Sequence, residues 1–263
     1  MKHLDFLCQK SAIESLKDAS NYDRHSLLIC SPTGCGKSYL AKMYADMLGV
    51  SDFVIVSSSI EDIRTTIDNS YSQSNKIVFC IENIDTGVMS ASFTLLKFLE
   101  EPAPNVYIVI TSRNIKNVPD TIISRSYVIN FQMPLKQDIE TYAKEKDTVL
   151  YNKYCTKSIW KCLRSFGDVN LVYNMSPEEL NYFETLRESL DFTAPVSSVI
   201  WKLQHYQDNK DTPLELVLNY ILVYYNDSRV TRYTIDCINS LQHTSIAKHT
   251  ILAKYVFDLK YGE

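Results

Sequence analysis

The apolar run Leu27-Leu28-Ile29-Cys30 feeds directly into Ser31-Pro32-Thr33-Gly34-Cys35-Gly36-Lys37-Ser38, and this junction constrains the fold more than any other stretch of the chain. A short, uniformly apolar run bounded by turn residues reads as a strand buried on both faces. The residues after Lys37 read as a helix to Leu48. A strand, a glycine-rich turn and a helix in that order make a phosphate-cradling loop. Gly34 and Gly36 let the backbone turn tightly and aim several N–H groups at one point, where the helix N-terminus adds its own partial positive charge. Lys37 can then reach outer phosphates, and the Ser38 hydroxyl can bind the magnesium that accompanies them. Thr33, Gly34, Cys35, Gly36, Lys37 and Ser38 are therefore the expected nucleotide contacts. A plain Gly/Ser turn is the alternative, and the strand-before, helix-after context disfavours it. Ser31 stands where the pattern has its first glycine, a position that needs only a compact turn.

The flanking pattern fits a parallel α/β sheet. Phe53–Val56, Ile77–Ile81, Val106–Ile110 and Tyr127–Phe131 read as further strands. Between them, Ile60–Asp68 and Ala91–Glu100 read as helices, the second stopped by Pro102. Five short strands with helical crossovers predict a doubly wound sheet whose ligands sit beyond the carboxyl ends of the strands. From about residue 135 the pattern turns helical. Helices are expected over 138–146 and 157–164, with Gly167 as a break. Ser176-Pro177-Glu178-Glu179 and Thr212-Pro213-Leu214-Glu215 are helix starts with a capping residue, proline in the first turn and a glutamate. Helices are also expected over 195–206, 213–226, 230–241 and 245–260, with residues 208–211 as a linker-like loop.

Composition narrows the partners. The net charge of −4 over 263 residues supplies no global field that would draw the chain to DNA or an anionic membrane. Any nucleic-acid contact must come from a local basic patch or from partner subunits. The seven cysteines form no C-x-x-C pair and lie within apolar runs, which predicts reduced thiols in a cytosol-like compartment and no zinc site. The first residues do not read as a signal peptide, and no apolar stretch is long enough to span a bilayer.

A phosphate loop needs an acidic partner at the end of a neighbouring strand. The run Ile77–Ile81 leads into Glu82-Asn83-Ile84-Asp85. Where the usual pair is aspartate then glutamate, Glu82 takes the metal-organising place and Asn83 the place of the group that activates water. Glu82 can still hold a hydrated magnesium. Asn83 cannot accept a proton, and loss of a general base commonly lowers a rate by about two to four orders of magnitude. Asp85 is the alternative base, but its register would put Ile84 at the metal.

Thr94-Leu95-Leu96-Lys97-Phe98-Leu99-Glu100-Glu101-Pro102 resembles the "LLKxLEEP" signature of the clamp-loader branch of the AAA+ ATPases, which includes the delta-prime and gamma/tau subunits of DNA polymerase III. Val106–Arg113 is similar to that family's strand ending in the sensor 1 residue, which matches Ser112, with Thr111 as the alternative. Val118-Pro119-Asp120-Thr121-Ile122-Ile123-Ser124-Arg125-Ser126 resembles "P-x-T-I-x-S-R-C", with Arg125 at the arginine finger that acts on an adjacent subunit's nucleotide. Gly167-Asp168-Val169-Asn170 matches the lid's "G-D-x-R", with Asn170 in place of the sensor 2 arginine. The likeness runs collinearly over about residues 5–175. The family's four-cysteine zinc module is absent between Leu48 and Phe53, which suggests a reduced, phage-like version.

The resemblance implies an α/β AAA+ P-loop NTPase domain with a parallel sheet over 1–134, a small helical lid over 135–175 and an all-α collar over 176–263. It implies ATP and Mg2+ as ligands, with Glu82 and Ser38 at the metal and Asn170 facing the nucleotide. Expected partners are other clamp-loader subunits in a hetero-oligomer, a sliding clamp and, through the complex, primer–template DNA. The expected setting is the cytoplasm of a bacterial or phage-infected cell, with no membrane partner. Asn83 and Asn170, both neutral amides, imply slow hydrolysis by this chain itself. Two other readings remain open: a nucleotide-binding structural subunit without catalysis, and another AAA+ DNA motor or helicase loader, which the LLKFLEEP stretch opposes. Arg125 could instead be a surface arginine at a helix end. Glu100 and Glu101, adjacent on a helix, point in different directions and read as structural rather than as a catalytic pair.

Overall fold

The apolar runs all enter one sheet. A computed structural model describes residues 10–86, 89–181, 183, 214–224, 227–243 and 248–261. Its strands are β1 (Ser26–Cys30), β2 (Asp52–Val56), β3 (Ile77–Ile81), β4 (Val106–Ser112) and β5 (Tyr127–Asn130). They pair in the order β2-β3-β4-β1-β5, and every pairing is parallel. The central strands β1, β3 and β4 are buried at every position. That explains the apolar runs that make up most of each, because helices cover both faces of a parallel sheet.

Alternation along each strand splits the core in two. Leu27 and Ile29 of β1, Val78 and Cys80 of β3 and Val109 of β4 face helices α1 (Lys10–Asn21) and α2 (Lys37–Met47). Leu28 and Cys30, Phe79 and Ile81, and Ile108 and Ile110 face α3 (Ile60–Ser70), α4 (Met89–Glu100) and α5 (Asp120–Ile123). Ser59 caps α3 by accepting the Asp62 N–H at 3.1 Å. Strand β2 closes one edge, and there Val54 and Ile55 stay exposed.

The described residues fall into two compact units. One holds the sheet and runs to Asp138, and it also takes in Ser165–Gly167. The other comprises Ile139–Arg164 and the chain from Asp168 onward. In this second unit α6 (Lys136–Lys146), α7 (Thr148–Tyr154), α8 (Phe166–Asn174), α9 (Leu214–Tyr224), α10 (Ser228–His243) and α11 (Lys248–Tyr261) supply the core; α6 and α8 begin in the first unit. Ile139, Trp160, Val172, Leu218, Ile221 and Leu252 are buried together there. The capping box at Ser176 is present: Glu179 N–H donates to Ser176 Oγ at 3.2 Å, and Ser176 N–H donates to Glu179 Oε2 at 2.8 Å. The helix expected over 195–206, the linker over 208–211 and the Thr212 cap lie outside the described residues.

Two local expectations are corrected, and one helix is added. Gly167 does not break a helix; it lies in the first turn of α8. Asp168 secures that turn, its Oδ2 accepting the Arg164 N–H at 2.8 Å. Residues 157–164 form only a short 3-10 helix, Ser158–Cys162, because Leu163 returns to an extended backbone. Helix α7 was not legible from apolar periodicity; Asp147 starts it by accepting the Leu150 N–H at 2.9 Å. Among the described residues no helix is long and apolar enough to cross a membrane.

Candidate nucleotide-binding site

The phosphate loop leaves the carboxyl end of β1 and ends at the first turn of α2. Gly34 and Gly36 have φ of 79° and 98°, the left-handed region that side chains with a Cβ rarely adopt. Gly36 is the N-cap of α2, and no side chain caps the helix. The first intrahelical bond runs from Leu40 N–H to the Gly36 carbonyl, so the N-terminal turn and its dipole open onto the loop. Ser31 fits without a positive φ: its N–H continues the sheet by donating to the Ser112 carbonyl at 3.1 Å.

Lys37 is 8% exposed, unusually deep for an ammonium group. Its Nζ donates to the Ser31 carbonyl at 2.7 Å and the Pro32 carbonyl at 3.1 Å. No carboxylate forms an ion pair with it among the described residues. Burial lowers its pKa, and the nearby Asp85 charge is among the groups that oppose the shift. A desolvated cation without an ion-pair partner, at an uncapped helix start, is a site that gains by taking an anion. Ser38 Oγ donates to Glu82 Oε1 at 2.5 Å. Two hard oxygen donors thus meet beside Lys37. Such a pair suits a magnesium ion that completes its shell with water and phosphate oxygens.

Strand ends β3 and β4 furnish the rest. Asn83 has φ of 52°, so this position favours asparagine on backbone grounds alone. Its N–H donates to Thr111 Oγ1 at 3.0 Å. Ser112 is fully buried; its hydroxyl donates to the Asn114 carbonyl at 3.0 Å and accepts the Asn114 N–H at 3.2 Å. Asp85 accepts the Arg113 N–H at 3.0 Å. Burial first, then the Asp85 charge, pushes the Cys30 thiol up to about 11. Cys35 is buried, its Sγ 3.3 Å from the sulfur of Met133, a filler beneath the loop.

Sequence reasoning missed one close neighbour. The Gly34 carbonyl accepts the Gly167 N–H at 2.9 Å. A Cβ added to Gly34 would lie 2.3 Å from Ser165 Oγ, and one added to Gly167 would lie 2.8 Å from Gly34 Cα. No spacing rule links positions so far apart in the chain. Gly34→Ala is therefore expected to destabilise the first unit by about 2 kcal/mol or more, from backbone strain and overlap together. Chemical denaturation followed by circular dichroism measures it; an unchanged midpoint would contradict this packing.

Lys37, Ser38, Glu82, Asn83 and Ser112 thus gather at one end of the sheet. Arg125 does not join them. It precedes β5, whose Tyr127 pairs with Leu27 near the start of β1, so it lies at the opposite end of the strands. A five-residue strand spans roughly 16 Å, which keeps Arg125 away from this chain's own phosphate loop. Asn170 belongs to the second unit, where its Oδ1 accepts from Tyr142 Oη at 2.8 Å and from Lys146 Nζ.

Residues 49–134 match the family described as DNA polymerase III, delta subunit. A DNA polymerase III subunit delta-prime of Buchnera aphidicola subsp. Baizongia pistaciae is 31% identical over 160 residues, covering 57% of this chain and 43% of the relative. Over residues 49–134 the chain is similar to the DNA polymerase III delta family, and the relatives it matches are delta-prime and gamma subunits. A subunit gamma of Buchnera aphidicola subsp. Acyrthosiphon pisum shares 23% identity over 212 residues, 67% of this chain and 58% of that protein. The chain thus spans about half the length of these curated relatives. The crystal structure of a DNA polymerase III gamma subunit-related protein from Thermotoga maritima superposes with a TM-score of 0.55 at 14% identity, covering 95% of this chain and 98% of that one. The RuvB Holliday junction branch migration motor of Thermotoga maritima gives 0.52 at 11%, covering 97% and 84%. At these identities both likenesses are of the fold alone. The matched span of the family domain contains Glu82, Asn83, Ser112 and Arg125, while the phosphate loop precedes it.

Proposed function

We propose that this chain is a clamp-loader subunit that binds Mg-ATP and works in the cytoplasm of a bacterial or phage-infected cell. It would assemble with other loader subunits to place a sliding clamp on primer–template DNA. The observation that carries the nucleotide half of this reading is the buried Lys37 ammonium beside the Ser38–Glu82 oxygen pair. The family domain supports the loader half. Residues 135–175 act as the lid and 176–263 as the collar, with Asn170 as the lid's neutral replacement for a phosphate-sensing arginine.

Each residue has a distinct task. The backbone of Thr33–Gly36 and the first turn of α2 hold phosphate oxygens. Lys37 exchanges its two carbonyl acceptors for phosphate oxygens and relieves its desolvation. Ser38 and Glu82 would hold magnesium, which when bound neutralises charge on the outer phosphates. Ser112 or Thr111 stands at the sensor position, and both hydroxyls already tie loops together. Arg125 faces away from this site and serves a neighbour's nucleotide.

Asn83 sets the rate. Its amide cannot take a proton from water, so the chain's own turnover is slow. Asn83→Glu is expected to raise ATP hydrolysis at least tenfold in steady-state assays, despite roughly 1 kcal/mol of strain for a left-handed glutamate. Wild-type turnover near 1 s−1 in isolation, a rate typical of working enzymes, would refute slow hydrolysis. The same amide also favours a second reading, a nucleotide-dependent structural subunit. Equal assembly with ATP and with a non-hydrolysable analogue, together with normal loading after loss of Lys37, would favour it.

A further inference from the structure

The guanidinium of Arg125 is occupied by a carboxylate from its own chain. Arg125 Nε donates to Glu100 Oε1 at 2.7 Å, and Nη2 meets the same oxygen at 2.5 Å. Nη1 donates to the Thr121 carbonyl at 3.0 Å, which fixes the plane of the group. The side chains are 33% and 49% exposed, so the pair sits at the surface and can open. It lines a cleft of about 420 Å³ with Arg24, His25, Ser124 and Ser126. Arg24 is held between the rings of Tyr22 and Tyr127, 5.9 Å from each centroid. The Ser126 hydroxyl is buried and has no hydrogen-bond partner among the described residues. The cleft therefore contains two guanidinium groups, one carboxylate and an unsatisfied hydroxyl, at the end of the sheet away from the phosphate loop.

The filled edge of Arg125 is the one that matters. Nε and Nη2 lie side by side and form the fork that grips a carboxylate or a phosphate. Glu100 holds that fork with one oxygen and so stands where a phosphate oxygen would bind. A surface ion pair of this kind is worth about 0–1 kcal/mol, which a multiply charged anion can outcompete.

We propose that Glu100 is a built-in gate on Arg125, keeping the fork aligned and covered until a polyphosphate chain enters the cleft and displaces the carboxylate. Arg24 and Ser126 supply the second cation and a donor for that chain. This rests on the reading of Arg125 as the group that serves a neighbour's nucleotide, and it adds the control of that group. No bond is made or broken; one oxyanion replaces another. Assembly with an empty neighbour then leaves Arg125 covered, and assembly with a triphosphate-loaded neighbour uncovers it.

The test is a titration of the full chain with tripolyphosphate, read at the arginine Nε–Hε resonances by NMR. The phosphate loop is silenced by Lys37→Ala in one arm and filled with Mg-ADP in the other, so that a folding defect of the variant does not decide the outcome. The Arg125 resonance is expected to shift on titration, with a dissociation constant roughly two- to fivefold lower in Glu100→Gln than in the parent, the ratio set by a competing surface ion pair. A shift with equal constants in both proteins would overturn the gate and leave Arg125 as a phosphate-facing group. No Arg125 shift in either protein, in either arm, would overturn the reading of Arg125 and the gate with it.

Discussion

Arg125→Ala, assembled with partner loader subunits, is expected to slow ATP hydrolysis at the neighbouring site about a thousandfold or more while leaving this chain's own nucleotide affinity unchanged. The magnitude follows from what a trans-acting arginine contributes to phosphoryl transfer. The separation of effects follows from the sheet. Arg125 lies beside the start of β5, and the phosphate loop follows the end of β1. The two sites of one chain cannot meet across the strands, so on the proposed reading loss of the guanidinium is felt at a neighbour's site. Arg125→Lys is expected to recover little, because an ammonium group lacks the planar fork. Single-turnover hydrolysis in mixed complexes reads this out. An equal loss of this chain's own ATP binding would show that Arg125 supports the fold rather than a neighbour's chemistry.

The second large effect belongs to Lys37. Lys37→Ala is expected to weaken ATP binding about a hundredfold, close to 3 kcal/mol, since charge-assisted contacts to more than one phosphate oxygen are lost. Fluorescent-nucleotide titration measures it. The protein is expected to remain folded, because the Ser31 and Pro32 carbonyls that Lys37 now satisfies lie at the loop and can turn to water. A dissociation constant within threefold of the parent would mean that the buried ammonium is a structural plug between two carbonyls. The dual outcome is informative because the present hydrogen bonds of Lys37 are with its own loop.

The two halves of the site differ in how far sequence alone reveals them. The sheet was legible because buried parallel strands are uniformly apolar: Ile77–Ile81 shows no polar residue to blur its limits. The phosphate loop was legible because its glycines answer a backbone demand, seen in the positive φ of Gly34 and Gly36. Asn83 was legible as a departure from the usual chemistry, but not as a backbone choice; its left-handed φ gives the residue a structural reason as well. The contact of Gly34 with Gly167 was hidden, since a glycine that permits close approach looks like one that breaks a helix. The pairing of Glu100 with Arg125 was hidden for a different reason. The two lie 25 residues apart on separate elements, and only the fold sets them side by side. Aspartates secure the starts of helices α7 and α8, Asp147 as the N-cap of the first and Asp168 from inside the first turn of the second, where the apolar period is weak.

Three neutral or covered groups now point the same way. Asn83 cannot act as a base, Asn170 carries no charge, and Arg125 is covered by Glu100. On the proposed reading, a subunit built like this would hold nucleotide longer than it hydrolyses it, and its effect on a neighbour would depend on what the neighbour has bound.

Isothermal calorimetry of the purified chain with ATP, in the presence and absence of magnesium, bears most directly on all of this. One nucleotide per chain, bound more tightly with magnesium and lost with Lys37→Ala, is the predicted result. No heat of binding for ATP or ADP with magnesium present, in the chain alone and in its assembled complex, would contradict a nucleotide role for the loop that follows β1.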